Sequence, residues 1–217
     1  MAAKEIANFI QFGKKIAGAG LNYKSLLAER NLPLPKVPVI FLKPTSSYII
    51  EGQCIEIPKD FEVHEEVELG VIIGRRCKNV PESEGLKCIG GYCLALDLTE
   101  VRLMKEIKAK GLPWTFGKGF DTACPVSRFI HTGEIKDPSD VQIWCKVNGK
   151  LRQNENTSDM VFPIPSLISY ISKYMTLEPG DLILTGSPSG VGPIVPGDTI
   201  EAGMGEDVSM VFPVKTA

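Results

Sequence analysis

His64-Glu65-Glu66-Val67-Glu68-Leu69-Gly70-Val71-Ile72-Ile73-Gly74 decides how the rest of this 217-residue chain is read. Alternate side chains of an extended strand share a face, so Glu66 and Glu68 point the same way, about 6.5–7 Å apart along the chain. Val67, Leu69 and Val71 take the opposite face, as a core requires. Two carboxylates side by side repel each other unless a cation or solvent lies between them. Hard cations such as Mg²⁺ and Mn²⁺ prefer such oxygen ligands. A half-exposed strand with a polar outer face fits the same spacing, and the stretch alone leaves both readings open.

Outward from it, short apolar runs are punctuated by 16 prolines and 21 glycines, the pattern of a rolled or barrel-like sheet. Strands are expected at Val39–Leu42, Glu65–Ile73, Tyr92–Leu98, Val141–Val147, Leu182–Thr185 and Ser209–Val214. Asn148-Gly149 reads as a type I′ hairpin turn, with Lys150–Gln153 returning from it. Glu178-Pro179-Gly180-Asp181 and Val195-Pro196-Gly197-Asp198 read as turns that each feed a strand. Helices are expected at Tyr23–Arg30, Thr99–Lys110 and Ile164–Tyr174, with Pro165 suited to the first turn of the last. A weak helical stripe over residues 4–17 adds a first helix. The fold class is therefore α+β, mostly β, with few helices: residues 1–15 as an N-terminal helical extension and 16–217 as one domain.

Bulk properties narrow the partners. A net charge of −2 gives no electrostatic case for nucleic acid or an anionic membrane surface. No apolar run reaches the roughly 18 residues of a membrane-crossing helix. Cys54, Cys77, Cys88, Cys93, Cys124 and Cys145 form no CxxC pair and no zinc-finger spacing. Free cysteines suit a reducing compartment, mitochondrial or cytoplasmic.

Three further features carry chemistry. Asp97 closes the apolar run Gly90–Leu98, where a lone carboxylate is costly unless it is paired, ligating or capping the next helix. Lys118 stands among aromatics and glycines in Trp114–Asp121, either snorkelling over apolar neighbours or pairing with an anionic substrate. The loop Leu184-Thr185-Gly186-Ser187-Pro188-Ser189-Gly190 can present backbone N–H groups to a carboxylate. It is not a nucleotide-binding P-loop, because no Gly-Lys-Ser/Thr follows.

Together these segments resemble the fumarylacetoacetate hydrolase superfamily. The matching pieces include Gly20-Leu21-Asn22-Tyr23, Phe41-Leu42-Lys43-Pro44, Glu66-x-Glu68-Leu69-Gly70, Ala95-Leu96-Asp97-Leu98-Thr99, Gly111-Leu112-Pro113-Trp114-Thr115, Lys118-x-Phe120-Asp121 and Leu184-Thr185-Gly186-Ser187-Pro188. Their order holds across residues 16–217, and the pattern is closest to the acylpyruvase and oxaloacetate decarboxylase branch. The resemblance implies a fumarylacetoacetate-hydrolase-like mixed β-roll, a homodimer, and Mg²⁺ (or Mn²⁺) held by Glu66, Glu68 and Asp97. It further implies a small 2-oxo acid substrate contacted by Lys118, Asn22, Tyr23, Thr185 and Gly186, with Glu29 and Lys118 as catalytic residues.

Departures from the family pattern matter as much. The position of the family's water-activating histidine is Leu26, although its glutamate partner persists as Glu29. Leu21, Val101 and Met104 stand where the family has arginine, arginine and glutamine, and Ser187 where it has threonine. The only histidines are His64 and His131, of which His64 shares a face with Glu66. C–C hydrolysis of acylpyruvates needs an activated water and should suffer most from Leu26. Oxaloacetate decarboxylation or keto–enol tautomerisation needs mainly a chelated metal and a site that stabilises an enolate. The alternative is a weakly catalytic or inactive metal-binding dimer that binds a carboxylate metabolite or a protein partner.

Overall fold

The computed structural model describes residues 6–217. The first residues of the expected N-terminal extension lie outside them. Within the rest of that extension Phe9–Phe12 forms a four-residue helix, and the chain is already a strand by Ile16. The expected helix over 4–17 is cut short because the backbone N–H groups of Lys14 and Lys15 donate to the buried Asp181 carboxylate, at 2.9 and 3.2 Å.

Fifteen strands follow. The first seven are β1 (Ile16–Gly20), β2 (Val39–Lys43), β3 (Tyr48–Ile50), β4 (Ile55–Ile57), β5 (Val63–Glu65), β6 (Val67–Ile73) and β7 (Ile89–Leu96). Next come β8 (Thr99–Glu100), β9 (Cys124–Val126), β10 (Gln142–Val147) and β11 (Lys150–Asn156). The last are β12 (Leu182–Leu184), β13 (Gly192–Ile194), β14 (Thr199–Met204) and β15 (Val208–Thr216). They form a seven-stranded mixed sheet in the order β2-β1-β12-β6-β7-β9-β3, a five-stranded sheet β11-β10-β14-β15-β4, and a three-stranded sheet β13-β5-β8. One apolar cluster fills the space between the sheets, and a smaller one joins Ile6 and Phe9 to the far face of the large sheet.

The mostly-β, mixed-sheet expectation holds. Ile164–Tyr174 is helical over the expected residues, and Asn148 and Gly149 both take the positive φ of a type I′ turn. Two local expectations change. The Glu65–Ile73 run is two strands in different sheets, broken at Glu66, because the Val67 N–H leaves the ladder to donate to Gln153 Oε1 at 2.9 Å. The third helix begins at Val101 rather than Thr99, since Thr99 and Glu100 pair with β5. Its N-cap is Glu100, whose carboxylate accepts from the Leu103 N–H, so Asp97 is free of that task.

Register then gathers the chemistry. Antiparallel pairing of β6 with β7 sets Val67 opposite Leu96 and Glu68 opposite Ala95, so Asp97 follows directly beside Glu66. The Asp97 N–H donates to the Glu66 carbonyl at 2.8 Å and fixes the two together. Parallel pairing of β1 with β12 sets Gly18 against Leu184, and the segments Leu21–Asn22 and Thr185–Ser187 leave the sheet at the same end. Gly18 has to be glycine: a Cβ there would sit 2.2 Å from the Phe41 ring.

Candidate active site

A cavity of about 350 Å³ opens at these strand ends. Glu66, Glu68, Asp97 and Lys118 line it, with His64, Thr99, Trp114 and Ser187 around them. Leu21, Leu26, Val101 and Met104 also line it, so every one of the four apolar departures faces the same space. Arg30, Lys105 and Lys108 line it as well.

At the acidic end, one oxygen from each of Glu66, Glu68 and Asp97 lies within 4.8 Å of the others. Glu68 and Asp97 are buried and Glu66 partly so. Lys118 Nζ donates to Glu66 Oε2 at 2.8 Å and to Asp97 Oδ2, an ammonium threaded between two carboxylates. Lys43 Nζ lies 2.6 Å from Asp97 Oδ1 and donates to the Leu98 carbonyl at 3.0 Å. The two lysines answer three carboxylates, leaving a formal charge of −1 in a buried place.

The ionisation of the group follows. Burial, then repulsion from Asp97 and Glu66, pushes the Glu68 carboxyl well up, against Lys118 and the Gly186 N–H. Burial would raise Asp97 as well, but Lys118 and Lys43 outweigh it and hold that carboxyl below its usual range. Lys118 is raised despite its burial, because Asp97 and Glu66 flank it. A clustered excess of buried acid that already recruits an ammonium is a fitting host for a divalent cation, and the all-oxygen donor set suits a hard one.

Glu65 does not join the trio. It turns into the small sheet, where Oε2 accepts from the Gly192 N–H at 2.9 Å and Arg152 Nη1 stands 3.6 Å from Oε1. Burial raises its carboxyl to about 7, with Gly192 and Arg152 opposing.

The remaining expected residues support this group from behind. The Gly186 N–H donates to Glu68 Oε2 at 2.6 Å, and its φ of +103° leaves a Cβ only 2.7 Å from Asn22 Cβ. Thr185 Oγ1 donates to the Leu69 carbonyl at 2.8 Å. Asn22 Nδ2 donates to the carbonyls of Thr185 (2.8 Å) and Phe162 (3.0 Å), while its Oδ1 accepts from the Phe162 N–H at 2.8 Å. Tyr23 is fully buried with its hydroxyl unpartnered, and burial together with Glu68 raises its pKa. None of these four side chains or backbone positions lines the cavity. Glu29 does not line it either: its Oε2 accepts from the Gly190 N–H at 2.8 Å.

Residues that sequence reasoning did not assign also act here. Lys43 is the second counter-charge of Asp97. Trp114 closes one side, its ring 5.7 Å from Phe41, with Lys108 Nζ 4.9 Å above it. Phe41 in turn lies 4.6 Å from Lys118 Nζ.

This geometry has relatives. The family model described as "Fumarylacetoacetate (FAA) hydrolase C-terminal" matches residues 15–215. The chain belongs to the fumarylacetoacetate hydrolase family. It is an enzyme of that family, as its curated relatives are. It is 46% identical over 215 residues to the Homo sapiens protein named "Oxaloacetate tautomerase FAHD1, mitochondrial", covering 99% of this chain and 97% of that one. It is 47% identical over 209 residues to the Dictyostelium discoideum protein named "Oxaloacetate decarboxylase, mitochondrial", covering 95% and 96%. Among solved structures, yeast ynq8, a fumarylacetoacetate hydrolase family protein, superposes with a TM-score of 0.87 at 34% identity, covering 97% of this chain and 96% of that one.

Proposed function

We propose that this enzyme acts on oxaloacetate or a closely related small 2-oxo acid, tautomerising or decarboxylating it, with Mg²⁺ as its metal and the mitochondrion as its compartment. The observation that carries the reading is the buried trio Glu66, Glu68 and Asp97 with Lys118 set between two of its members. The names of the human and Dictyostelium relatives support both the substrate and the compartment.

The three carboxylates would hold the cation, which when bound supplies Lewis-acid polarisation of the 2-oxo group. Lys118 brings a fixed positive charge to where the enolate oxygen develops its negative charge. A preorganised charge in a site shielded from water is worth more than the same charge in solvent. Trp114 and the apolar residues Leu21, Leu26, Val101 and Met104 keep bulk water from the reacting carbons. Gly186 aims Glu68 through its N–H, and Lys43 keeps Asp97 ionised. In tautomerisation a proton leaves C3 and the C2 oxygen gains one; in decarboxylation the C3–C4 bond breaks, C4 leaves as CO₂, the bonding pair forms the enolate of pyruvate, and C3 then takes up a proton. Neither needs an activated water, whereas acylpyruvate hydrolysis does, and Leu26 offers no base for one.

The test is turnover of oxaloacetate with Mg²⁺, alongside thermal melting with and without the ion. Millimolar Mg²⁺ should raise the melting temperature by binding only the folded state. Glu68→Gln should remove most of that rise and cut turnover at least about 10²-fold, a loss of several kcal/mol of charge stabilisation. A wild-type protein without turnover, melting higher with Mg²⁺, points instead to a metal-binding carboxylate receptor, the reading favoured by the four apolar wall residues. An equal melting shift in Glu68→Gln removes these carboxylates from the metal site.

The chain is further read as a two-fold homodimer. The exposed apolar side chains of Leu42, Leu112 and Tyr174, grouped beside Pro113 on a broad cleft, support that reading. Light scattering should report twice the 23.7 kDa chain mass at micromolar concentration.

A further inference from the structure

The helix Val101–Lys110 carries four basic residues in its first ten positions, and they divide sharply by partner. Arg102 lies 3.9 Å from carboxylate oxygens of Glu62 and Glu100, and Lys110 lies 3.7 Å from Glu106. Lys105 and Lys108 face the cavity instead, as does Arg30 from the end of the helix Lys24–Glu29. Among the described residues none of these three has a salt bridge within 4 Å. Three cations around one concavity without a counter-ion repel one another. Partial desolvation by the cavity wall, followed by Lys118 and Arg30, depresses the Lys108 ammonium against the pull of Glu66.

We propose that Lys105, Lys108 and Arg30 form the determinant of substrate charge: they receive a second, distal carboxylate and make the enzyme selective for 2-oxo dicarboxylates over monocarboxylates. The proposal rests on the functional reading above and adds its second pole. The cavity has an acidic, cation-accepting end at Glu66, Glu68 and Asp97, and a basic rim at the three unpaired cations. Leu21, Leu26, Val101 and Met104 line the same cavity and give a substrate's middle carbons no polar partner. A molecule with an anionic group at each end and little polarity between them matches all three zones. Lysines at positions 105 and 108, one helical turn apart, project from the same face and can bracket one carboxylate. Trp114 positions Lys108 from below through the cation–π contact.

The experiment uses two unreactive probes that differ only in the distal group, (S)-malate and 2-hydroxybutanoate, titrated calorimetrically into the full-length protein with saturating Mg²⁺. Malate should bind about tenfold tighter, as expected when a second carboxylate gains charge-assisted hydrogen bonds at a partly solvated rim. The preference should shrink as salt rises. In Lys105→Gln/Lys108→Gln the malate-to-hydroxybutanoate ratio should fall toward one, with the melting temperature within a degree or two of wild type because both side chains are exposed. Lys110→Gln, on a residue already paired, should leave the ratio alone. A tenfold preference that persists in the double variant, or equal wild-type affinities for the two probes, overturns the inference while leaving the carboxylate trio untouched. Failure of both probes to bind the wild-type protein overturns the functional reading itself, and this inference with it.

Discussion

Glu66, Glu68 and Asp97 on one wall of the cavity are each tied to a named cation or N–H donor, whereas Leu21, Leu26, Val101 and Met104 on the other wall are held by packing alone. The first wall grows from strand ends whose register is fixed by the ladder, so its charges are held in place. The second is built from a left-handed turn residue and two helices, where one side chain can change without moving a backbone hydrogen bond. Leu21 itself has φ +58°, an uncommon conformation for leucine, and it aims Asn22 back at Thr185 and Phe162. On the function proposed above, binding and charge stabilisation reside in the rigid wall, while proton transfer depends on what the adaptable wall presents.

The largest expected effect comes from breaking the rigid wall. Lys43→Met leaves Asp97 buried with only Lys118 to balance it, and removing one partner of a buried pair typically costs about 3–5 kcal/mol. Urea unfolding should show that loss, and Asp97→Asn in the same chain should return part of it, because the uncompensated charge goes too. A loss below about 1 kcal/mol would mean that Lys118 suffices alone and that the acidic wall is as tolerant as the apolar one.

How much of this was legible in the sequence differs between the two walls. Glu66, Glu68 and Asp97 stood out because carboxylates interrupt apolar alternation, and the large sheet brings the three together through one antiparallel register. The break at Glu66 did not stand out, since the alternation runs through it and only the distant Gln153 pulls Val67 out of line. β1 was hidden as well: Ile16-Ala17-Gly18-Ala19-Gly20 has a single β-branched residue, Ile16, and is otherwise alanine and glycine, with Gly18 kept small by the Phe41 ring. Lys43 entered the sequence reading only as part of the stretch Phe41-Leu42-Lys43-Pro44, and nothing nearby in sequence announces its pairing with Asp97, 54 residues on, through the fold. Arg30, Lys105 and Lys108 carried no assignment in the sequence reading. Only the orientation of two helices around one cavity distinguishes them from Arg102 and Lys110.

A smaller effect, and a gain, is expected from rebuilding the adaptable wall with Leu26→His. Leu26 is 4% exposed and lines the cavity from the helix Lys24–Glu29, so an imidazole there would enter the space beside the carboxylates. Glu29, three residues on, shares that helix face. Its Oε2 accepts from the Gly190 N–H at 2.8 Å, so the new ring must reach the other carboxylate oxygen or displace that bond. A general base is worth about 10²–10⁴ in rate, and only part of it should return with Val101 and Met104 still apolar, about a tenfold rise in acylpyruvate hydrolysis. Melting temperature on the same sample controls for the cost of placing a polar ring in a packed position. Adding Glu29→Gln should erase the gain if Glu29 orients the histidine, and spare it if the metal-side carboxylates alone suffice. A well-folded Leu26→His protein with no gain would mean that the adaptable wall blocks water activation by more than the identity of one residue. The contrast between the walls would then lie in their shape rather than in their chemistry.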